Sequence, residues 1–276
     1  MNDNFPPVTI RDSELRSLKS RSLGKEYKIL VALPAGYADS KETYPVLYVL
    51  DANVCFGTIA EIVRFLAANR KMFSIEVPDT IVIGIGYPLD PAKPSEYYAG
   101  WFSARSKDLT PTEDPAENYP SGGANDFMAF IRDELKPLIN SNYRANPEDN
   151  TIYGVSFGGL FALYVLFHRP DTFNRYIILS PSLWWDKKVT FDYEREYANE
   201  HTKLAARLFL SIGALEKNDS QDRVQDLREF VQILKKRNYK DLEYASYICE
   251  GEIHITAWEA ATPRAILSVF SSPKKN

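Results

Sequence analysis

The sequence predicts an α/β protein with a mostly parallel central sheet, helices on both faces and an antiparallel N-terminal edge. Three observations carry this expectation. From residue 45 onward, short apolar runs alternate with segments of helical periodicity. The apolar runs are near-continuous rather than alternating, which suits strands covered on both faces. One of them, Thr151-Ile152-Tyr153-Gly154-Val155, runs straight into a glycine-rich turn and then an apolar helix pattern.

Composition bounds the rest. The chain has 276 residues, of which 45% are hydrophobic and 25% charged, enough for a sizeable core. It shows no internal repeat, low-complexity block or linker, so a single domain over residues 1–276 is expected. A net charge of -4 with scattered Lys and Arg offers no basic footprint for nucleic acid or an anionic membrane. No apolar run approaches the length of a membrane span. The start, Met1-Asn2-Asp3-Asn4-Phe5-Pro6-Pro7, is polar and proline-broken, without the apolar centre of a signal peptide. The end, Pro273-Lys274-Lys275-Asn276, reads as a solvated tail. Cys55 and Cys249 are far apart and lack metal-ligand spacing. They read as buried free thiols in a reducing, cytoplasmic setting, with a disulfide between them as the alternative, and with no metal or cofactor.

The elements follow in order. Val8-Thr9-Ile10 precedes Glu26–Pro34, which alternates as a strand, and Gly24 ahead of it suggests a hairpin turn. Pro45–Leu50 is a buried strand that stops at Asp51-Ala52-Asn53, with an amphipathic helix from about residue 56 to 69. Thr80–Gly86 is another buried strand. After it, residues 87–123 read as a long irregular loop broken by Pro88, Pro91, Pro94, Pro111 and Pro115. A connection of that length in a compact domain is usually functional or disordered, and its aromatics argue against disorder. Residues 125–140 form a helix, followed by the strand and helix around Gly154. Tyr176–Ser180 is a strand, and residues 181–205 form an excursion over the site, in which the charged stretch 190–203 is either helical or irregular. A strand at Leu208–Ile212, a helix at 221–237, a strand at 242–249 and a helix at 258–270 complete the chain.

The chemistry gathers at Gly154-Val155-Ser156-Phe157-Gly158-Gly159. A Gly-x-Ser-x-Gly motif between a strand and a helix makes a sharp turn that lifts the serine hydroxyl clear of the backbone. Small residues flank it because the turn leaves no room for side chains. The helix N-terminus beside it favours negative charge. The bland alternative is a chance match in a Gly- and Ser-bearing turn. A nucleophilic serine needs a base, and only three histidines exist. His254 falls after the last strand, on the same sheet edge as Ser156. His168 ends the serine helix, and His201 lies in a charged stretch. The acid should follow the strand between serine and histidine, where Glu216 comes first, with Asp219 and Asp222 as rivals. A Ser–His pair without a strong acid is the other arrangement. Oxyanion donors are expected from the backbone N–H of Phe157 and of Asn53, with Ala52 next to it. Tyr97, Tyr98, Trp101 and Arg105, with Trp184 and Trp185, suit an aromatic wall carrying one cation, fit for an aryl ester. Packing of a long loop, and an Arg105–Asp108 ion pair, are the structural alternatives.

Leu50-Asp51-Ala52-Asn53, the serine motif, Ser180-Pro181-Ser182-Leu183-Trp184-Trp185 and Glu250-Gly251-Glu252-Ile253-His254 together resemble the esterase-D-like "putative esterase" branch of the α/β-hydrolases. That branch holds siderophore trilactone esterases, feruloyl and acetylxylan esterases, S-formylglutathione hydrolases and mycolyltransferases. The resemblance covers roughly residues 25–270 and is strongest to the siderophore type (enterobactin and bacillibactin trilactone esterases). It implies an α/β-hydrolase fold and serine ester hydrolysis of a small molecule. It also implies an acid at Glu216 and an oxyanion N–H at Asn53. One departure is Asp51-Ala52, where many members have Asp-Gly. An acyltransferase using the same residues and a catalytically silent binding module are the competing readings.

Overall fold

The computed structural model describes residues 8–115, 118–217 and 222–271. Residues 1–7, the 273–276 tail and the rival acid Asp219 lie outside that range. The strands are β1 (Ser13–Lys19), β2 (Glu26–Ala32), β3 (Tyr44–Val49), β4 (Ile81–Gly86), β5 (Ala145–Val155), β6 (Arg175–Leu179), β7 (Lys203–Gly213) and β8 (Lys240–Cys249). They form one eight-stranded sheet in the order β1-β2-β4-β3-β5-β6-β7-β8. β2 runs antiparallel to both β1 and β4, and every other pairing is parallel. This is the expected α/β-hydrolase arrangement with its antiparallel N-terminal edge. The edge hairpin uses Ser13–Lys19 as its first strand rather than Val8–Ile10, and turns at Gly24 with φ 66°.

The helices are α1 (Ala52–Ala68), α2 (Arg70–Phe73), α3 (Pro94–Leu109), α4 (Ala124–Phe130), α5 (Lys136–Asn142), α6 (Phe157–His168), α7 (Trp185–Glu200), α8 (Arg223–Arg237) and α9 (His254–Phe270). A π-helical stretch, Ile131–Leu135, joins α4 to α5. The sheet divides the apolar interior in two. Residues of α1 and α9 pack one face, and those of α4, α5, α6 and α8 pack the other. Helix α6 is apolar all round, and every residue from Phe157 to Phe167 is buried, as a helix enclosed on all sides requires. Helix α8 shows ordinary surface logic. Asp222 caps it by accepting from the Gln225 N–H at 2.9 Å, and Lys235, Lys236 and Arg237 sit in the last turn.

Four sequence expectations change. The stretch 87–123 is not one loop, because Pro94–Leu109 is helical with its proline in the first turn, where the missing N–H costs nothing. Helix α1 starts at Ala52 and α9 at His254, both four residues earlier than expected. The charged stretch 190–203 takes its helical option within α7, but Phe191, Tyr193 and Tyr197 pack on the core, so only the opening residues of the 181–205 excursion approach the cleft. Helix α7 bends at Asp186, Lys187 and Lys188, which all have positive φ.

The chain passes from β3 to β4 on one side and then returns to β5 on the other. The strand order therefore reverses between β3 and β5, the place where open α/β sheets leave a crevice at their carboxyl ends. Asp51 and Ser156 stand just past the carboxyl ends of β3 and β5, on its two banks.

Candidate active site

β5 ends at Val155 and α6 begins at Phe157, so Ser156 alone makes the turn. Its backbone sits at φ 58°, ψ -116°, a conformation that side-chain-bearing residues rarely adopt. Such strain costs roughly 1–3 kcal/mol and persists only where the surroundings impose it. Here they do. A Cβ on Gly154 would lie 2.1 Å from the Gly158 carbonyl oxygen, and one on Gly159 would lie 3.1 Å from Pro181. The helix therefore crosses the strand end with no side chain between them. The Ser156 N–H donates to the Leu179 carbonyl at 3.0 Å, while its own carbonyl accepts from Leu160 at 3.0 Å and Ser182 at 3.2 Å.

The histidine bank is built from hydrogen bonds. Beyond β7, the Ala214 N–H donates to the Cys249 carbonyl at 2.9 Å and Leu215 to Glu252 at 3.0 Å, joining the loops after β7 and β8. Glu216 is buried, and its Oε1 accepts from Ser180 Oγ at 2.6 Å and from the Gly213 N–H at 2.8 Å. Its Oε2 lies 2.6 Å from His254 Nδ1. Burial pushes the Glu216 pKa up, but the bonds from His254, Ser180 and Gly213 outweigh it and hold the carboxyl below the usual value. An ionised carboxylate only accepts, so the proton of a neutral imidazole sits on Nδ1 and the Nε2 lone pair is left free. Asp222 is committed to capping α8 instead.

Ser156 and His254 line one cavity of about 450 Å³, together with Phe157, Trp101, Trp184 and Trp258. Ser156 Oγ lies 3.4 Å from Ser182 Oγ, and among the described residues no Ser156–His254 hydrogen bond is formed. In ligand-free sites such bonds commonly tighten only when substrate binds. The other histidines are elsewhere. His168 stacks on Tyr164 with its Nδ1 2.8 Å from the Tyr164 carbonyl, and burial lowers its pKa. His201 packs against Tyr197.

Asn53 is held rigidly on the opposite bank. Its Nδ2 donates to the Tyr87 carbonyl at 3.0 Å, and its Oδ1 accepts from the Tyr87 N–H at 2.7 Å. Tyr97 Oη donates to the Asn53 carbonyl at 3.2 Å, so this tyrosine braces α1 rather than the cavity wall. The Val54 and Cys55 N–H groups both donate to the Asp51 carbonyl. That leaves the N–H groups of Ala52 and Asn53, at the start of α1, without a partner among the described residues.

The proposed aromatic wall is mostly one helix face. Tyr98, Trp101, Phe102 and Arg105 all line the cavity, at the i, i+3, i+4, i+7 spacing of a single stripe on α3. Arg105, however, is no open cation. Its Nε and Nη2 each donate to an Asp51 carboxylate oxygen at 2.8 Å, and the pair is buried. Asp108 pairs with Lys25 and Tyr27 instead. Trp184 lines the cavity, but Trp185 does not. It is fully buried, packs edge-on against Phe157 and donates its indole N–H to Thr112 Oγ1 at 2.9 Å. Truncating such a residue to alanine typically costs about 3–5 kcal/mol in stability, a core effect. Sequence reasoning assigned no site role to Phe102, Ser180, Ser182, Arg223 or Trp258. Trp258 carried a signal, since it is four residues past His254 and shares its helix face once α9 is known to begin there.

Comparison with known proteins agrees with this architecture. A family model described as "Putative esterase" matches residues 20–267. The chain is 32% identical over 272 residues to the ferri-bacillibactin esterase BesA of Bacillus subtilis, covering 94% of this chain and 89% of that protein. It is 36% identical over 193 residues to the siderophore triacetylfusarinine C esterase of Aspergillus fumigatus, covering 67% of this chain and 61% of that protein. The crystal structure of the BES protein from Bacillus cereus superposes with a TM-score of 0.85 at 29% identity, covering 99% of this chain and 100% of that one. With Ser156 and the Glu216-bound His254 brought to one cavity, and a family model that spans residues 20–267, the chain belongs to the "Putative esterase" family of carboxylic-ester hydrolases.

Proposed function

We propose that this esterase cleaves siderophore-type esters through an acyl-enzyme on Ser156. The observation that carries the mechanism is the 2.6 Å Glu216–His254 contact beside the cavity that also holds Ser156. His254 Nε2 takes the hydroxyl proton as Ser156 Oγ attacks the ester carbonyl. The resulting imidazolium is stabilised by the Glu216 carboxylate. The oxyanion is met by the Phe157 N–H and by that of Asn53 or its neighbour Ala52. His254 then returns the proton to the leaving alkoxide, and the departing alcohol leaves an acyl-Ser156. Water, deprotonated by His254, attacks that ester; the acyl C–Oγ bond breaks, the carboxylic acid departs and His254 returns the proton to Ser156 Oγ.

The substrate class is supported by the relatives, which are named for ferri-bacillibactin and triacetylfusarinine C. The cavity volume falls in the range of small-molecule sites, and Trp101, Trp184 and Trp258 supply a broad aromatic surface. No described helix is long and apolar enough to cross a membrane. Both cysteines are buried and free, which supports a cytoplasmic location that cell fractionation would test.

The deciding experiment is an ester panel on wild type and Ser156→Ala, followed by chromatography and mass spectrometry. It contains a catecholate trilactone, a hydroxamate triester, a feruloyl ester, S-formylglutathione and p-nitrophenyl acetate. A siderophore ester should show the highest kcat/KM, and Ser156→Ala should abolish turnover. Turnover retained by the variant would refute the nucleophile. A feruloyl or thioester preference would refute the substrate class.

A further inference from the structure

We infer that the buried Asp51–Arg105 pair is a positioning device for the oxyanion hole, holding the first turns of α1 and α6 so that one N–H from each meets the same oxygen. The inference rests on the acyl-enzyme reading of the site.

Asp51 stands where a helix-capping residue stands, directly before α1, in the left-handed region at φ 54°. An aspartate there normally turns back to accept from the N–H groups of the first turn. This one makes no such bond, and both its oxygens face Arg105. The diversion leaves the Ala52 and Asn53 N–H groups without a partner among the described residues, at the start of a helix where Asp51, Val54 and Cys55 line the cavity. A carboxylate released from Arg105 would compete with a developing oxyanion for those donors.

The guanidinium lies between the residue that precedes α1 and the two residues that flank Ser156. Besides Asp51, its Nη2 lies 3.4 Å from the Val155 carbonyl, the residue before the nucleophile. Its carbon stands 5.1 Å from the Phe157 ring centre and 4.8 Å from that of Trp101. Asp51 in turn abuts α6, where a Cβ on Gly158 would lie 3.5 Å from Oδ2. One planar fork thus ties the start of α1, both neighbours of Ser156 and the inner face of α3 into a single unit. Because its ion pair is satisfied and buried, this arginine acts through other groups rather than on substrate.

The test compares wild type with Arg105→Lys and with the double variant Asp51→Asn/Arg105→Met. The lysine keeps the charge but loses the fork. The double variant removes both charges, so no unpaired ion is left buried to unfold the protein. Asparagine suits the left-handed backbone at position 51. The readouts are kcat and KM for p-nitrophenyl acetate, the Ki of phenylboronic acid and the melting temperature. Boronic acid adds to a serine to give a tetrahedral anion, so its affinity reports the oxyanion hole. We expect kcat to fall by about tenfold or more, short of the roughly 10²–10³ seen when an oxyanion donor is removed outright. KM should stay within about threefold, and Ki should rise by the same factor as kcat/KM falls. Unchanged kcat and Ki in folded variants would overturn the inference. So would losses confined to KM, or losses that only track the unfolded fraction. A wild type that hydrolyses no ester and resists a fluorophosphonate probe would overturn the acyl-enzyme reading, and this inference with it.

Discussion

The serine side and the histidine side of the cleft are made by different physics. On the serine bank, Ser156 is placed by backbone sterics. Gly154 lies against the Gly158 carbonyl, Gly159 lies against Pro181, and α6 is buried along its length. On the histidine bank, position is set by a chain of hydrogen bonds through Ser180, Gly213, Glu216 and His254. The residues beside that chain are open to solvent, with Leu215, Ile253 and Ile255 all exposed. A sterically fixed bank should fail abruptly when crowded, by losing the fold. A hydrogen-bonded bank should fail in steps, by losing rate while the fold survives.

Gly154→Ala breaks the first bank and should give the largest effect on stability. The added methyl meets a backbone carbonyl oxygen at 2.1 Å, and no side-chain rotation relieves it. Either α6 moves off the sheet or the protein unfolds. A loss of about 4 kcal/mol or more is expected, in the range reserved for severe core disruption. For a chain of this size that corresponds to a fall in melting temperature of roughly 8–16 °C. Calorimetry on the purified variant checks it. A shift of only a degree or two would show that sterics do not fix the serine turn.

Glu216→Gln breaks the second bank and should behave in the opposite way. The amide keeps the shape but removes the charge that faces His254 Nδ1 at 2.6 Å. Its NH₂ can also donate to Nδ1, which favours the tautomer whose Nε2 already carries the proton and cannot act as base. We expect kcat to fall by roughly 10²–10⁴, with a stability loss of only about 1–3 kcal/mol. Steady-state kinetics beside thermal melts measures both. A variant that unfolds like Gly154→Ala would erase the distinction between the banks.

The same contrast explains what was legible in the sequence. The serine turn announces itself because sterics demand glycine at fixed offsets, and glycine is visible in a string of letters. The parallel strands are visible because burial on both faces leaves unbroken apolar runs. Hydrogen-bond partners are another matter, since topology rather than spacing brings them together. Arg105 is read from sequence beside Asp108, its neighbour on the chain, whereas the fold pairs it with Asp51 from another element. Ser180 gives no hint that its hydroxyl will reach Glu216. Trp184 and Trp185 look equivalent on paper, yet one faces the cleft and the other fills the core. Helix α3 is hidden by its prolines, although a proline followed by Glu96 in the first turn is a helix-start signal, and Tyr98, Trp101, Phe102 and Arg105 already show one stripe.

Ser180→Ala sharpens the comparison with the smallest effect, because it removes one link of the hydrogen-bonded bank and leaves the rest. Ser180 donates to Glu216 Oε1 at 2.6 Å and is one of the three groups that keep the Glu216 pKa below its usual value against the upward push of burial. At neutral pH the loss should be about 1–3 kcal/mol, the usual worth of a hydrogen bond to a charged group. Its sign with pH follows from linkage. A carboxyl whose pKa is depressed on folding adds stability that is fully present above its unfolded pKa, about 4.3 for glutamate. That stability is lost as pH falls through the lower folded pKa. In the variant the depression is smaller, so wild type and variant should differ fully at neutral pH and converge as pH drops below about 4. Urea unfolding at pH 7 and near pH 3 measures the two gaps. A gap that is the same at both pH values would mean that Ser180 stabilises the fold through packing alone, and that the charge on Glu216 is held without it.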